Sequence, residues 1–149
     1  MVTQNIDLLH ARAGSRTVVD VHGSIGTSSC LDCGEVAALD EVIEMLPLPE
    51  CPRCGRVLKP DVVMFGELLP EAAIDRAVRL ASEAGLLLVV GSSLEVYPVA
   101  GLPLETLAAG GRLAIVNRGE TQFDRRADVC VEAGAGETLA SLARLLPER

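Results

Sequence analysis

The sequence predicts an α/β protein: a doubly wound, largely parallel sheet with a small cysteine-bearing lobe inserted into it. Three observations carry this. Short apolar runs alternate with helical stretches of about 10 to 15 residues, the pattern of strand–helix–strand units and a parallel sheet. No polar residue interrupts Leu86-Leu-Leu-Val-Val90, as a strand covered on both faces requires. Four of the five cysteines form two C-x-x-C knuckles, which have no place inside such a sheet.

The elements follow in order. Residues 17–21, Thr-Val-Val-Asp-Val, have strand character and end at His22-Gly23. The knuckle lobe occupies residues 26–60 and is interrupted by Pro47, Pro49 and Pro52. Residues 62–65, Val-Val-Met-Phe, read as the return strand. Pro70 opens a helix expected to reach Ala84, because Ala73, Ala77, Leu80 and Ala84 share a face and proline suits a first turn. Gly85 stops it, and the strand 86–90 follows. A second helix is expected over 99–109, closed by Gly110 and Gly111, then a buried strand over 113–116. A shorter strand over 128–131 places Cys130 between Val129 and Val131, where it reads as buried. The last helix is expected over 137–146.

The knuckles are Cys30-Leu-Asp-Cys33 and Cys51-Pro-Arg-Cys54, with 17 residues between them. That spacing suits a four-thiolate zinc site. Gly34 and Gly55 follow the knuckles and let the backbone turn its amides toward the sulfurs. Two disulfides are disfavoured, since the N-terminus shows neither a basic start nor an apolar run of a secretory signal. A redox function would need only one pair. Four thiolates leave no coordination position for water, so one structural Zn2+ is expected.

Charge narrows the partners. Thirteen basic and 21 acidic residues give −8, and four thiolates with one Zn2+ would take this to −10. Nucleic-acid binding depends on neutralising phosphates with Lys and Arg, so no nucleic acid is expected as partner. A cationic partner, such as a lysine-bearing protein segment, is compatible. The longest apolar stretch is broken by Gly91, Ser92, Ser93 and Glu95, short of the ~18 residues of a membrane helix. No membrane association is expected, and the cytoplasm is the expected compartment.

In doubly wound sheets, ligands bind beyond the carboxyl ends of the strands. His22-Gly23, Gly91-Ser92-Ser93 and Asn117 all fall at such ends. One cleft with an imidazole, a Gly-Ser-Ser turn and a carboxamide is therefore predicted. Taken singly, a histidine there is more often structural, Gly-Ser-Ser is a common turn, and an asparagine can cap a turn. Together they point to chemistry.

Thr3-Gln4-Asn5-Ile6-Asp7, His22-Gly23-Ser24, the two knuckles, Lys59-Pro-Asp-Val-Val-Met-Phe-Gly-Glu67, Gly91-Ser-Ser-Leu-Glu-Val-Tyr-Pro98 and Ile115-Val-Asn117 stand in the order found in the sirtuin family. The sequence resembles that family through Ala135-Gly136-Glu137. The resemblance implies a Rossmann-type domain with a small zinc-ribbon lobe, and NAD-dependent protein-lysine deacylation. In that reaction nicotinamide is released and the acyl group passes to ADP-ribose.

By the same resemblance His22 is the general base, a role that suits an imidazole able to accept a proton near neutral pH. Asn5 and Asp7 join it as catalytic residues. Gln4, Asn5, Ile6 and Asp7 line the nicotinamide and ribose side of NAD. Gly91, Ser92 and Ser93 receive its adenosine side, with Asn117, Arg118, Gly119 and Ala135. Val63, Phe65, Gly66 and Glu67, with Val96, grip an acyl-lysine peptide as an added strand. Zinc falls to Cys30, Cys33, Cys51 and Cys54.

Two departures from the family pattern stand out. The family's Gly-Ala-Gly phosphate turn and first strands have no counterpart here, so residues 1–149 read as a partial sirtuin domain whose sheet is incomplete at its N-terminal side. Leu8 stands where the family usually has Gly, which strains the turn if positive φ is required. The alternative reading is a non-catalytic, zinc-bearing module that binds acyl-lysine peptide or pairs with a separate chain supplying the N-terminal half.

Overall fold

Parallel pairing begins at the second residue. In the computed structural model, which describes residues 1–146, β1 (Val2–Thr3) lies parallel to β2 (Val19–Asp20), with Val2 opposite Val19 and Thr3 opposite Asp20. Between them runs the short helix α1 (Leu9–Arg12). The strand expected over 17–21 is thus real but shorter. These elements belong to the first of two compact units, Met1–Ile74 and Asp75–Arg149.

The rest of the first unit is an antiparallel sheet of order β4-β3-β5, with β3 (Gly23–Cys30) at its centre, β4 (Val36–Ala38) and β5 (Leu58–Val62). The return strand expected over 62–65 instead runs Leu58–Val62. An edge strand pairs on one side only, so Pro60, opposite Ser28, is tolerated there. The register shifts between Gly23 and Ser28. Helix α2 (Leu39–Glu44) starts where the Glu41 carboxylate accepts the Ala38 amide at 2.8 Å. Cys30, Ala37, Val42, Cys51 and Leu58 form the small core of this lobe, with Cys33 and Met45 against it. Five buried side chains, two of them cysteines, bury too little apolar surface to hold a fold unaided.

The second unit carries a three-stranded parallel sheet of order β6-β7-β8: β6 (Leu86–Val90), β7 (Arg112–Asn117) and β8 (Val129–Glu132). The unit boundary falls inside α3 (Glu71–Ser82), whose Ala77 and Ala81 are buried one turn apart. A 3-10 turn (Val99–Gly101) leads into α4 (Leu102–Ala108), and α5 (Ala135–Leu145) follows β8. Leu94, Ala100, Leu113, Ile115 and Phe123 make the core, with Leu87 and Val89 packed on it. Fully buried Thr106 donates its hydroxyl to the Ala81 carbonyl at 2.7 Å.

Two burial expectations fail. β6 is not covered on both faces: Leu86 is 59% exposed and Leu88 40%. β6 is an edge strand, and only its Leu87 and Val89 side meets the core. Cys130, on the other edge strand β8, is exposed. No described helix is long and apolar enough to cross a membrane.

Candidate functional site

The two knuckles repeat one another bond for bond. The Cys30 amide donates to the Glu35 carbonyl and the Gly34 amide to the Cys30 carbonyl; Cys51 pairs with Arg56, and Gly55 with Cys51, in the same pattern. The turn needs left-handed backbone at its fifth residue, and Gly34 and Gly55 take φ of 74° and 73°. The four sulfurs lie within 4.8 Å of one another, with Cys30–Cys54 and Cys33–Cys51 at 3.5 Å. A tetrahedral zinc with bonds of ~2.3 Å needs sulfurs about 3.8 Å apart, whereas a disulfide needs ~2.05 Å.

The thiols are free, and their acidities suit a cation. Cys30 is pulled down to about 7, chiefly by the Cys33 amide. Cys54 is pushed up to about 12: the Arg56 amide favours its thiolate, but desolvation and the Cys30, Cys33 and Cys51 sulfurs outweigh it. A second negative charge in the cluster is unfavourable without a metal. Hence the donor set fits one Zn2+ with no open position.

His22 lies just past β2. The parallel ladder continues through the Val21 amide, which donates to the Thr3 carbonyl at 3.1 Å. This brings His22 Nδ1 to 3.1 Å from the Gln4 carbonyl oxygen. A carbonyl only accepts, so the neutral ring carries its proton on Nδ1 and keeps a lone pair on Nε2. Gly23, next in the chain, has φ 69°, and a Cβ there would stand 2.0 Å from the Asp61 carbonyl oxygen. Only glycine lets the two strands meet beside the imidazole.

The Asn5–Asp7 stretch is pinned mostly through backbone. The Asn5 amide donates to Thr3 Oγ1, the Ile25 amide to the Ile6 carbonyl, and the Leu9 amide to Asp7 Oδ1. Leu8 adopts φ 63° and ψ 6°, the left-handed conformation that its position demanded of glycine. From the other side, the Val63 amide donates to the His22 carbonyl at 2.9 Å. Val63, Phe65, Gly66 and Glu67 share the loop that follows. Val96 is exposed in the second unit.

In the second unit, the carboxyl ends of the parallel strands open a cavity of about 450 Å³. Gly91, Asn117, Arg118 and Ala135 line it, with Gly134, Gly136 and Glu137. The Asn117 amide donates to the Gly119 carbonyl at 3.1 Å, while Ser92 Oγ accepts the Leu94 amide. Ser93 is exposed in the same turn. The Arg118 guanidinium fills the space above Gly134, 2.9 Å from where a Cβ would stand. Among the residues named from sequence for this region, Ser92, Ser93 and Gly119 do not line the cavity. Gly134, Gly136 and Glu137 were not among the site residues read from sequence, although a glycine between a parallel strand and a helix, with a second in that helix's first turn, is the signal for a ligand turn.

Residues 1–98 match the Sir2 family model. An NAD-dependent protein deacetylase of Chromobacterium violaceum is 50% identical over 142 residues, covering 95% of this chain and 57% of that protein. NAD-dependent protein deacylase 2 of Pyrobaculum aerophilum is 46% identical over 149 residues, covering 100% of this chain and 59% of that one. A solved Sir2–p53 peptide–NAD+ complex is 41% identical and superposes with a TM-score of 0.92 over 97% of this chain and 61% of its own. The chain thus spans 57% to 59% of the length of these curated relatives.

Proposed function

The chain belongs to the Sir2 family, and from that premise we propose that it serves NAD-dependent removal of acyl groups from protein lysines, with His22 as general base. The observation that carries the reading is the His22 geometry. Its Nδ1 is occupied by the Gln4 carbonyl at 3.1 Å, and its own carbonyl holds the first amide of the loop assigned to the peptide. A ring oriented in this way accepts a proton at Nε2 from a hydroxyl brought against it.

The remaining roles follow the same proposal. Bound NAD supplies a ribose that takes the acyl group once nicotinamide has left. Asn5, Ile6 and Asp7, with Gln4, face the nicotinamide and ribose end. Gly91, Ser92, Ser93, Asn117, Arg118, Gly119 and Ala135 serve the adenosine end, where backbone amides at the start of α5 and the Arg118 guanidinium suit phosphate and hydroxyl groups. Val63, Phe65 and Gly66 offer an apolar loop for a neutral acyl chain, which disfavours a charged lysine; Val96, in the second unit, is proposed as a peptide contact in its own right. Cys30, Cys33, Cys51 and Cys54 hold a structural Zn2+ that performs no step.

The test is nicotinamide release from NAD by the zinc-loaded chain with an acetyl-lysine peptide. Release above that of His22→Ala supports the proposal; equal rates refute it for this chain. One observation favours a second reading, in which a further polypeptide segment pairs with this chain. Along β6, Leu86 and Leu88 are exposed beside backbone with a strand partner on one side only. Activity that appears only on adding such a segment would select it.

A further inference from the structure

The loop between β5 and α3 is open to solvent, and none of residues 63–68 is buried. Phe65 is fully exposed, Leu68 is 94% exposed and Met64 50%. Apolar packing therefore does not hold its shape. Polar contacts do. Lys59 Nζ donates to the Val62 carbonyl at 2.9 Å, to the Pro60 carbonyl at 3.4 Å and to Glu67 Oε2 at 3.0 Å. The same Oε2 accepts the Met64 amide at 2.9 Å, and the Glu67 amide donates to the Met64 carbonyl at 3.0 Å.

One carboxylate oxygen thus ties the end of the loop to its beginning, and one ammonium ties both to strand β5. The far side of the loop is already fixed, because the Val63 amide donates to the His22 carbonyl. We infer that Lys59 and Glu67 are positioning residues, a clasp that holds residues 63–66 in register with His22 so that an acyl-lysine peptide meets a preformed edge. This rests on the proposed function and alters one part of it. The Glu67 carboxylate is spent inside the loop and acts through Met64 and Lys59 instead of touching the peptide.

Charge-assisted bonds of this kind outlast neutral ones. The side chains of Lys59 and Glu67 are 27% and 43% exposed, so salt screens part of the ion pair, and the Lys59 bond to the Val62 carbonyl and the Glu67 bond to the Met64 amide hold the clasp beside it. A loop ordered beforehand spares an incoming strand the entropy of ordering it. Removal of the clasp should therefore weaken peptide binding and leave the nucleotide side unaffected.

The experiment uses the zinc-loaded chain and Lys59→Met, Glu67→Ala and Lys59→Arg, each checked for native Val116 amide protection. Hydrogen exchange at the Met64 amide reports the clasp itself. Titrations with a fluorescent acetyl-lysine peptide and with ADP-ribose report the two binding sides. Lys59→Met and Glu67→Ala are expected to speed Met64 exchange and to weaken peptide binding by about tenfold each, with ADP-ribose affinity unchanged and Lys59→Arg close to wild type. Unchanged Met64 exchange would overturn the clasp. Faster exchange with unchanged peptide affinity would overturn its positioning role. If the unaltered chain takes no acyl-lysine peptide, the proposed function fails for this chain, while the exchange result still decides whether the clasp exists.

Discussion

Leu8 is the sharpest test of the backbone geometry around the histidine. It holds φ 63°, a conformation that costs an L-residue roughly 1–2 kcal/mol and costs glycine almost nothing. Its methyls also rest on Gly26, 3.5 Å from where a Cβ would stand there. Leu8→Gly alone would mix relief of strain with loss of that packing. The informative comparison is Leu8→Gly against Leu8→Ala, since both remove the methyls. Glycine gains about 1–2 kcal/mol at positive φ and loses about 0.5–1 kcal/mol to unfolded-chain entropy. The glycine variant should thus be the more stable by about 0.5–1 kcal/mol, or about 2–3 °C in Tm for a chain of this size. At an ordinary right-handed position the order reverses. Thermal unfolding of the two zinc-loaded variants, followed by far-UV circular dichroism, reads the sign directly. An alanine variant as stable as the glycine variant would refute the left-handed assignment and the strain argued from it.

Other perturbations have equally definite outcomes. Cys51→Ala should lose stoichiometric zinc and the amide protection of β3, β4 and β5, because five buried side chains cannot hold the lobe; normal metal content with normal melting contradicts this. Gly23→Ala drives a Cβ to 2.0 Å from a backbone oxygen at φ 69°, so urea unfolding should show a loss of about 2–5 kcal/mol, and a loss under about 1 kcal/mol would refute the close approach. The Met64 amide, which stabilises the Glu67 carboxylate foremost, together with Lys59, holds its pKa below the ordinary 4.5; the Thr121 hydroxyl and amide do the same for Asp124 below 3.8. Both groups contribute stability above the ordinary carboxylate range and lose it as pH falls through the lowered folded values. Amide shifts of Met64 and Thr121 should therefore titrate with midpoints under those ordinary values, and midpoints at or above them would contradict the hydrogen bonds.

Much was legible in the sequence, and the limits have physical causes. Period and composition located β6, α3, β7 and α4 because each carries its own apolar signature. The zinc donors were legible because thiolate chemistry fixes both residue type and spacing. β3 was not: Gly-Ser-Ile-Gly-Thr-Ser-Ser-Cys has no alternating apolar face, and it becomes a strand only because β4 and β5 pair with it on both sides. β5 was misplaced toward Val62–Phe65, where apolar composition favoured a strand that pairing does not supply. The exposure of Leu86 and Cys130 could not be read from their apolar neighbours, because tertiary packing decides which sheet faces are covered: on β6 the Leu87 and Val89 side meets the core and the Leu86 and Leu88 side does not. Lys59 stood out only as the head of a family motif, and its role was not legible, since that role exists only once the loop returns Glu67 to it.

Backbone contacts to His22 explain why so few side chains near it had to be chemically special. Gln4 contributes a carbonyl to the imidazole, Thr3 another to Val21, and His22 its own to Val63. None of these depends on side-chain identity, so substitutions there act through geometry. Leu8, Gly23 and the Lys59–Glu67 clasp all bear on this same short stretch without donating a group to it. Geometry and chemistry then separate in kinetics. If the chain turns over, His22→Ala should depress kcat, because it removes the proton acceptor. Lys59→Met should raise KM for peptide and spare kcat, because a loop ordered by the peptide itself reaches the same bound state at a higher cost. A Lys59→Met variant that loses kcat at unchanged KM would mean that the clasp acts on the imidazole through Val63, and that loop and base form one unit.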